Sequence, residues 1–262
     1  RITIIDAEGS VRPHLLNPHL DFGSSANDAA ESRLSLAQPM AMAVRVDGRQ
    51  LLVGGYGSNK VSMFDIDELR EGAYRPSLPT QIVLDGGGPS GIVLDPARRR
   101  AYVATRFDNG IATLDLESRT QIDRVFRFNP EPDSIVQGRQ FLYDATVSSG
   151  KGNESCASCH LFGDGDALAW DLGDPDGQVQ PSVNPYHPSV QNAPGLNFTF
   201  HPMKGPMMTQ SMRGLRHHGP MHWLGDRTGA RRPPGESQEA AAFKEFDEAF
   251  DALMGKDGQL TP

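Results

Sequence analysis

The sequence contains few cysteines and no long apolar or basic segment. Cys156 and Cys159 are its only cysteines among 262 residues. No run of roughly 18 apolar residues occurs, so the sequence predicts no membrane-spanning helix. The net charge is −8 and the basic residues do not cluster. These two features argue against nucleic acid as a partner.

The sequence also lacks an initiator methionine and a signal-peptide pattern. It begins at Arg1, inside the β-like run RITIID, and ends in GKDGQLTP. We interpret the chain as a processed or truncated piece of something longer, so the missing signal peptide does not define a compartment. The composition is 37% hydrophobic and 22% charged, which allows a buried core, and 262 residues suit two domains.

Short runs of β-forming residues end at an aspartate in three places. They are ITIIDA from Ile2, VSMFDI from Val61 and IATLDL from Ile111. Such runs are typical of half-buried strands. The last two runs belong to two repeats that align without a gap. The offset between the repeats is 50 residues, which places Asp115 on Asp65.

Each repeat predicts four strands. QLLVGG and RAYVAT are equivalent second strands, and TQIVLD and TQIDRVF are the fourth strands. Four strands in roughly 40–50 residues are typical of a β-propeller blade, and two unrelated β-meanders are the alternative. EPDSIVQGRQFLYDA, from Glu131, begins like a further blade and then breaks off. Two blades do not close a ring, so we expect further blades outside this chain or support from a second domain.

The pattern changes near Ser148, where β alternation stops. We therefore predict a multidomain chain: incomplete, all-β propeller blades over residues 1–147, then a mostly α, loop-rich domain over 148–262 that is truncated at its C-terminus. Residues 171–210 have almost no periodicity and need something to fold around. GESQEAAAFKEFDEAFDALMG predicts a helix with Ser237 as its N-cap and Gly255 after its end.

The two cysteines form the motif C-x-x-C-H with His160. Two thiols three residues apart can each bond to one vinyl group of the same porphyrin, and the following histidine can bind the iron. A zinc site lacks its second cysteine pair, a redox dithiol lacks a βαβ context, and a disulfide does not explain His160. The motif predicts one covalently bound haem c with His160 as its proximal ligand. Such haems are attached outside the bacterial cytoplasm, which predicts the periplasm or the cell surface.

A second axial ligand is expected among the methionines that follow. Five of the nine methionines lie between Met203 and Met221. A thioether ligand suits electron transfer, whereas an open position suits peroxide or oxygen chemistry. We predict Met207 as the distal ligand, with Met203 as the alternative. His217 and His218 are expected at the surface or behind the ligands.

Charged residues near the motif suggest two further roles. Asp164, Asp166 and Asp171 lie among glycines and are a candidate calcium site, with a solvated acidic loop as the alternative. Arginine binds carboxylates through two parallel hydrogen bonds. Haem propionates are therefore the expected partners of one or more of three arginines, namely Arg213, Arg216 and Arg227.

Two long segments resemble a known family. GRQFLYDATVSSGKGNESCASCH resembles the haem-attachment segment of di-haem cytochrome c peroxidase-like domains. FHPMKGPMMTQSMRGLRHHGPMHWLGDR resembles their TPSLRNV…PYxHDGR segment. The sequence is most similar to the branch in which such a domain is fused to YVTN-type β-propeller repeats, and this resemblance covers nearly the whole chain.

The resemblance implies a periplasmic redox protein of the peroxidase-like superfamily. It implies that Cys156 and Cys159 attach the haem, that His160 is the proximal ligand and that Met207 is the distal one. It also puts His222, the candidate catalytic residue, and Asp226–Arg227 close to the haem edge. Family members carry two C-x-x-C-H motifs, whereas this sequence contains a single one. One haem favours electron transfer over two-electron peroxidase chemistry.

Three functions follow as hypotheses. The first is a periplasmic haem c electron-transfer protein with the propeller as scaffold, whose partner is a redox protein or a small electron donor or acceptor. The second is a peroxidase- or oxidase-type enzyme whose second haem lies outside this chain. The third is a propeller binding module with an accessory haem. Any of them is compatible with a larger complex.

Overall fold

The computed structural model describes residues 1–24, 27–170, 180–181, 199–200, 207–222, 225, 227–246 and 254–255. The chain divides into two compact units, residues 1–158 with 248–262 and residues 159–247. The division falls inside the C-x-x-C-H motif. The domain boundary expected after residue 147 stays a prediction.

The first unit contains ten strands, five α-helices and a 3₁₀ turn (Leu78–Thr80) among its described residues. Its strands are β1 (Ile2–Ile5), β2 (Val11–His14), β3 (Pro39–Val44), β4 (Gln50–Gly55), β5 (Lys60–Asp65), β6 (Gln81–Val83), β7 (Pro89–Asp95), β8 (Arg100–Thr105), β9 (Gly110–Asp115) and β10 (Thr120–Phe126). Its helices are α1 (Ala29–Leu34), α2 (Ile66–Glu71), α3 (Asp133–Tyr143), α4 (Ala145–Ser148) and α5 (Cys156–Cys159), whose last residue belongs to the second unit.

The two repeats form two four-stranded antiparallel sheets, as the sequence predicted. The first sheet has the order β3-β4-β5-β6 and the second has β7-β8-β9-β10. Equivalent strands pair in the same register, since Gln50 lies opposite Asp65 and Arg100 lies opposite Asp115. Asn59 and Asn109 occupy the same turn with φ of 52° and 57°. Asparagine tolerates this left-handed conformation better than most residues, which explains its place in both turns.

The two sheets pack face to face around one apolar core. The first sheet contributes Leu52, Val61 and Ile82, and the second contributes Ala101, Ala112 and Leu114. All six are at most 2% exposed. Close packing of this kind makes the interface sensitive to any change of side-chain volume.

The opposite face of the first sheet is also covered. Leu51, Val53 and Phe64 point to this side and pack in a second cluster with residues outside the sheet, among them Leu16 and Leu36. The central strands β4 and β5 are therefore buried on both faces, which agrees with their nearly continuous apolar sequences. Met42 and Val44 of β3, in contrast, are more than half exposed.

A buried lysine joins the first sheet to α1. Lys60 is 5% exposed, and its Nζ donates hydrogen bonds to the Arg33 carbonyl and, at 3.1 Å, to the Gln81 side chain. Burial lowers the pKa of Lys60 to about 8. The carbonyls at the C-terminal end of a helix carry partial negative charge, so a cation is favoured there.

The expectation of a further blade from Glu131 is wrong. This segment forms α3, which begins after Pro132 and ends before Asp144. Proline before the first helical residue and an acidic first turn are helix-start features. Tertiary contacts add to them, because Arg139 of α3 pairs with Glu131 and Tyr143 packs edge-to-face on Tyr56.

The second unit contains short elements in its described part. They are a 3₁₀ turn (Leu161–Gly163), β11 (Ala169–Trp170), β12 (Gln180–Pro181), β13 (Thr199–Phe200), β14 (Met207–Met208) and α6 (Gln238–Lys244). The Ser237 side chain caps α6 by accepting a hydrogen bond from Ala240 N at 3.1 Å, as predicted. Within the described residues of both units, no helix is long and apolar enough to cross a membrane.

Candidate functional site

The C-x-x-C-H motif begins with one helical turn, α5. Ser158 N donates to the Ser155 carbonyl at 2.8 Å, and Ser155 N donates to the Ser158 hydroxyl at 3.0 Å. These two bonds hold the turn from inside, and Ser155 is 2% exposed. Residues three apart in a helix lie on one face, so Cys156 and Cys159 share a side of the turn.

The two thiols do not bond to each other in the structure. Both lie in the described part of the chain, and no disulfide joins them there. Burial raises the pKa of the Cys156 thiol, so this group is protonated at neutral pH. A redox dithiol needs the opposite shift for reactivity. Cys156 therefore lacks the lowered pKa that a thioredoxin-like nucleophilic thiol has.

His160 makes a hydrogen bond that sets its tautomer. Its Nδ1 lies 2.8 Å from the Gln210 carbonyl oxygen. A carbonyl only accepts, so Nδ1 carries the proton and donates it, and Nε2 keeps its lone pair. Metal-binding histidines commonly have this second hydrogen bond, which also orients the ring.

Backbone contacts bring the 207–213 segment beside the motif. Met212 N donates to the Gly163 carbonyl at 2.9 Å, and β14 pairs with β11, which aligns Met207 with Trp170. This segment also supplies the Gln210 carbonyl that binds His160. Met207 as the distal ligand stays a prediction, because only its backbone is described here. Met203 lies outside the described residues.

Two of the three acidic residues of the proposed calcium site have partners in the structure. Asp164 pairs with Arg213 at 3.2 Å, and Asp166 accepts hydrogen bonds from Leu168 N and, at 2.7 Å, from Trp170 Nε1. A hydrogen bond from Ser211 is the main cause that lowers the pKa of Asp164.

Calcium binding itself stays a prediction. Asp171 lies outside the described residues. Within the described part of the chain, no three His, Cys, Asp or Glu side chains are grouped to hold a metal ion.

The arginines predicted to bind haem propionates differ in their surroundings. Arg213 is exposed and pairs with Asp164, and Arg216 is exposed as well. Arg227 Nε, in contrast, is buried and has no hydrogen-bond partner among the described residues. A buried donor of this kind is costly unless an acceptor binds it.

His222 and Arg227 lie on the same aromatic ring. The His222 ring meets the Phe246 ring edge-on at 5.8 Å, and the Arg227 guanidinium lies 5.6 Å from the same ring centre. A bridge between Met221 and Arg227 closes the loop that carries them. The structure thus groups two residues that the sequence placed together, while Asp226 between them lies outside the described residues.

The sequence did not indicate what holds the segment before the motif. Ser32 and Ser35, from α1 and its end, donate hydrogen bonds to the Gly150 and Lys151 carbonyls, both at 2.7 Å. Gly152 has φ of +68°, and a side chain there would overlap the Ser32 carbonyl. No spacing rule links residues more than 100 positions apart, so only a folded structure reveals these contacts.

Comparisons with known proteins give local likenesses. No family model and no curated protein matches the chain. A Kuenenia stuttgartiensis hydrazine synthase chain is similar over 36% of this chain at 30% identity, with a TM-score of 0.30. A putative 6-phosphogluconolactonase from Bacteroides fragilis NCTC 9343 is similar over 49% of this chain at 15% identity, with a TM-score of 0.34.

The matched regions cover 25% and 37% of those two structures' own lengths. At these TM-scores the likenesses carry no argument about fold or function. The chain is a β-rich molecule with two four-stranded repeat sheets.

Proposed function

We propose that this chain binds one haem c through Cys156 and Cys159 and transfers electrons in the periplasm or at the cell surface. The hydrogen bond from His160 Nδ1 to the Gln210 carbonyl is the observation that carries the proposal. It orients the imidazole and leaves Nε2 as the atom that would bind iron. A haem iron supplies one-electron redox chemistry when it is bound.

The residues around the motif fit this cofactor in two further ways. Cys156 and Cys159 lie on one side of a single turn, which is the arrangement that two thioether bonds to one porphyrin need. The buried Arg227 Nε needs an acceptor, and a propionate carboxylate is one that a guanidinium binds well. Arg227 is therefore our first candidate for a propionate partner, ahead of Arg213, which already pairs with Asp164.

A peroxidase-type enzyme is the second candidate. It is favoured by the contacts of His222 and Arg227 with the same Phe246 ring, because histidine is the side chain that most often acts as a general acid or base. In that case peroxide turnover would fall when His222 is replaced by alanine. A peroxidase of the two-haem type would also require a second haem, and this sequence contains a single C-x-x-C-H motif.

The first test is a haem determination on the chain secreted to a bacterial periplasm. We expect a c-type α-band in the pyridine haemochrome spectrum and an intact mass that exceeds the polypeptide by one haem. The double variant with Cys156→Ser and Cys159→Ser should lose the covalent haem, because no thiol remains to form a thioether. A wild-type mass without haem would refute the proposal.

Axial ligation is tested separately by spectra. His160→Ala should abolish the low-spin spectrum, whereas His218→Ala, an exposed histidine from the second unit, should leave it unchanged. Met207→Ala should remove the charge-transfer band of methionine–iron coordination. If that band survives in the Met207 variant, Met203 becomes the ligand to test.

A further inference from the structure

The turn that follows His160 holds an aromatic residue in an unusual backbone conformation. Phe162 has φ of 54° and ψ of 30°, which is the left-handed region that glycine and asparagine adopt most easily. A large side chain is unfavourable there, because its Cβ approaches the following carbonyl oxygen. Among the described residues with positive φ, Phe162 is the only one with a large hydrocarbon side chain. The backbone is therefore strained at this position.

Hydrogen bonds on both sides of Phe162 fix this turn. Gly163 N donates to the His160 carbonyl at 3.0 Å. The turn is also bound to the 207–213 segment at two points, because the His160 ring donates to a carbonyl of that segment and the Gly163 carbonyl accepts from Met212 N at 2.9 Å. Backbone strain persists where surrounding contacts over-determine the conformation, and such places are concentrated at functional sites.

The Phe162 side chain belongs to neither of the buried apolar clusters. It is 64% exposed, and the clusters found among the described residues contain no residue of the second unit. An aromatic ring in this place is unfavourable on two counts, because its backbone is strained and its apolar surface faces water. Glycine would form the same turn without strain. The ring becomes favourable when it contacts an apolar group that the strained backbone aims it at.

The porphyrin of the proposed haem is an apolar group within reach of this ring. It would be bonded to the chain through Cys156 and Cys159, and its iron through His160. Phe162 follows His160 by two residues, and two residues span at most about 7 Å of chain. Aromatic rings also pack favourably against other flat conjugated surfaces. The turn therefore places a strained aromatic residue directly beside the point where the haem iron would be held.

We propose that Phe162 packs against the porphyrin and excludes water from the side of the haem that His160 binds. The inference rests on the proposed haem function and deepens it, because the apolar surroundings of a haem control its solvent access and its reduction potential. Ferric haem carries one more positive charge than ferrous haem, so contact with water favours the ferric state. By excluding water, the Phe162 ring raises the midpoint potential.

A docking residue for a protein redox partner would be exposed as well, since aromatic side chains are common at protein interfaces. That role requires neither a strained backbone nor a place beside the proximal histidine. It would also leave the midpoint potential of the isolated chain unchanged when the ring is removed. The two roles therefore predict different results on the chain without any partner.

The main test is Phe162→Gly in the chain loaded with haem. Glycine adopts the turn without strain, so this variant removes the ring and keeps the backbone, and the two thioether bonds keep the haem attached. We expect the wild-type haem content and a low-spin spectrum, which shows that His160 is still bound. We also expect a lower midpoint potential in a spectroelectrochemical titration and a several-fold larger response of the Soret band to ethylene glycol.

Two further variants serve as controls. Phe128→Gly removes an aromatic side chain that is 86% exposed and belongs to the first unit, so it should change neither the potential nor the Soret response. Phe162→Tyr keeps an aromatic ring at the turn, so it should retain the wild-type values of both. A merely structural role of the turn would not produce this pattern, because glycine preserves the turn and only the ring is lost.

The outcomes separate this inference from the proposed function. A wild-type chain without covalent haem would overturn both. Covalent haem together with a Phe162→Gly variant of unchanged potential and unchanged Soret response would overturn the inference alone. So would a Phe162→Gly variant that keeps both values but is reduced more slowly by added ferrous cytochrome c, because that result would identify Phe162 as a docking residue.

Discussion

Glu131 binds two arginines that come from different parts of the chain. Arg106, directly after β8, holds both carboxylate oxygens at 3.0 Å, and the buried Arg139 of α3 binds one of them. Hydrogen bonds from Arg106 first, and then from Arg139, lower the pKa of Glu131 from 4.5 to about 2. This cluster attaches α3 to the second sheet.

The lowered pKa predicts how stability depends on pH. A folded-state pKa below the unfolded one stabilises the fold above pH 4.5, and this contribution disappears as the pH falls from there to about 2. Glu131→Gln should therefore lower the melting temperature by several degrees at neutral pH, and the difference from wild type should shrink between pH 4.5 and 2.

Thermal unfolding followed by circular dichroism measures this difference. Glu117→Gln is the control, because Glu117 is 63% exposed and pairs only with the exposed Arg99 among the described residues. Exposed ion pairs contribute little. A Glu131 variant with the same small, pH-independent effect as the Glu117 variant would contradict the prediction.

Single residues were predictable from sequence where the chemistry is local. Cys156, Cys159 and His160 are contiguous, and the Ser237 cap depends on the three residues that follow it. The hydrogen bond from His160 to Gln210 was not predictable. It joins residues 50 positions apart through a backbone carbonyl, which has no sequence signature.

The segment before the motif depends on α1 for its position. Ser32 and Ser35 bind its carbonyls, and Gly152 lies against the Ser32 carbonyl with φ of +68°. Gly48 has the same φ but nothing within 4 Å of where a side chain would begin. A side chain at either position would be strained by the positive φ. Only at Gly152 would it also overlap a neighbouring atom.

Alanine substitutions at the two glycines should separate strain from overlap. Gly48→Ala should cost roughly 1–2 kcal/mol, the price of the left-handed conformation for a side-chain-bearing residue. Gly152→Ala should cost clearly more, because the new methyl group displaces either α1 or the 150–152 segment. Urea denaturation measures both, and equal costs would show that α1 does not hold this segment.

Strands were easier to predict than helices in this chain. Runs of β-forming residues in two ungapped repeats predicted both repeat sheets, and the structure added the register in which their strands pair. The segment from Glu131 also contains β-branched residues, and it forms α3 because Arg139 and Tyr143 find partners on one helical side. The hydrophobic periodicity of a short sequence window does not reveal which side chains elsewhere in the fold a residue will contact.

The two compact units differ in how they are stabilised. Both clusters of buried apolar side chains found among the described residues belong to the first unit. The described part of the second unit has short strands and one seven-residue helix. If the proposed haem is present, its porphyrin would add buried apolar surface to a unit in whose described part no apolar cluster is found.

Loss of the haem should therefore affect the units unequally. In the double variant with Cys156→Ser and Cys159→Ser, we expect amide hydrogens of residues 159–247 to exchange several-fold faster. The strands β3 to β10 should keep their protection, because their core contains no residue of the motif. Hydrogen exchange with mass spectrometry resolves both regions, and faster exchange throughout would show that the sheets also depend on the cofactor.

By itself, the sequence determined the repeat sheets and the C-x-x-C-H motif. Both depend on residues close together along the chain, where side-chain alternation, turn conformations and thiol spacing are set by local geometry. Only the tertiary structure decided the tautomer of His160, the attachment of the 150–152 segment to α1 and the exposure of Ile122 and Val125 on the second sheet. These depend on which distant groups meet in space, and the free energy of such contacts comes from packing and burial that no local pattern specifies.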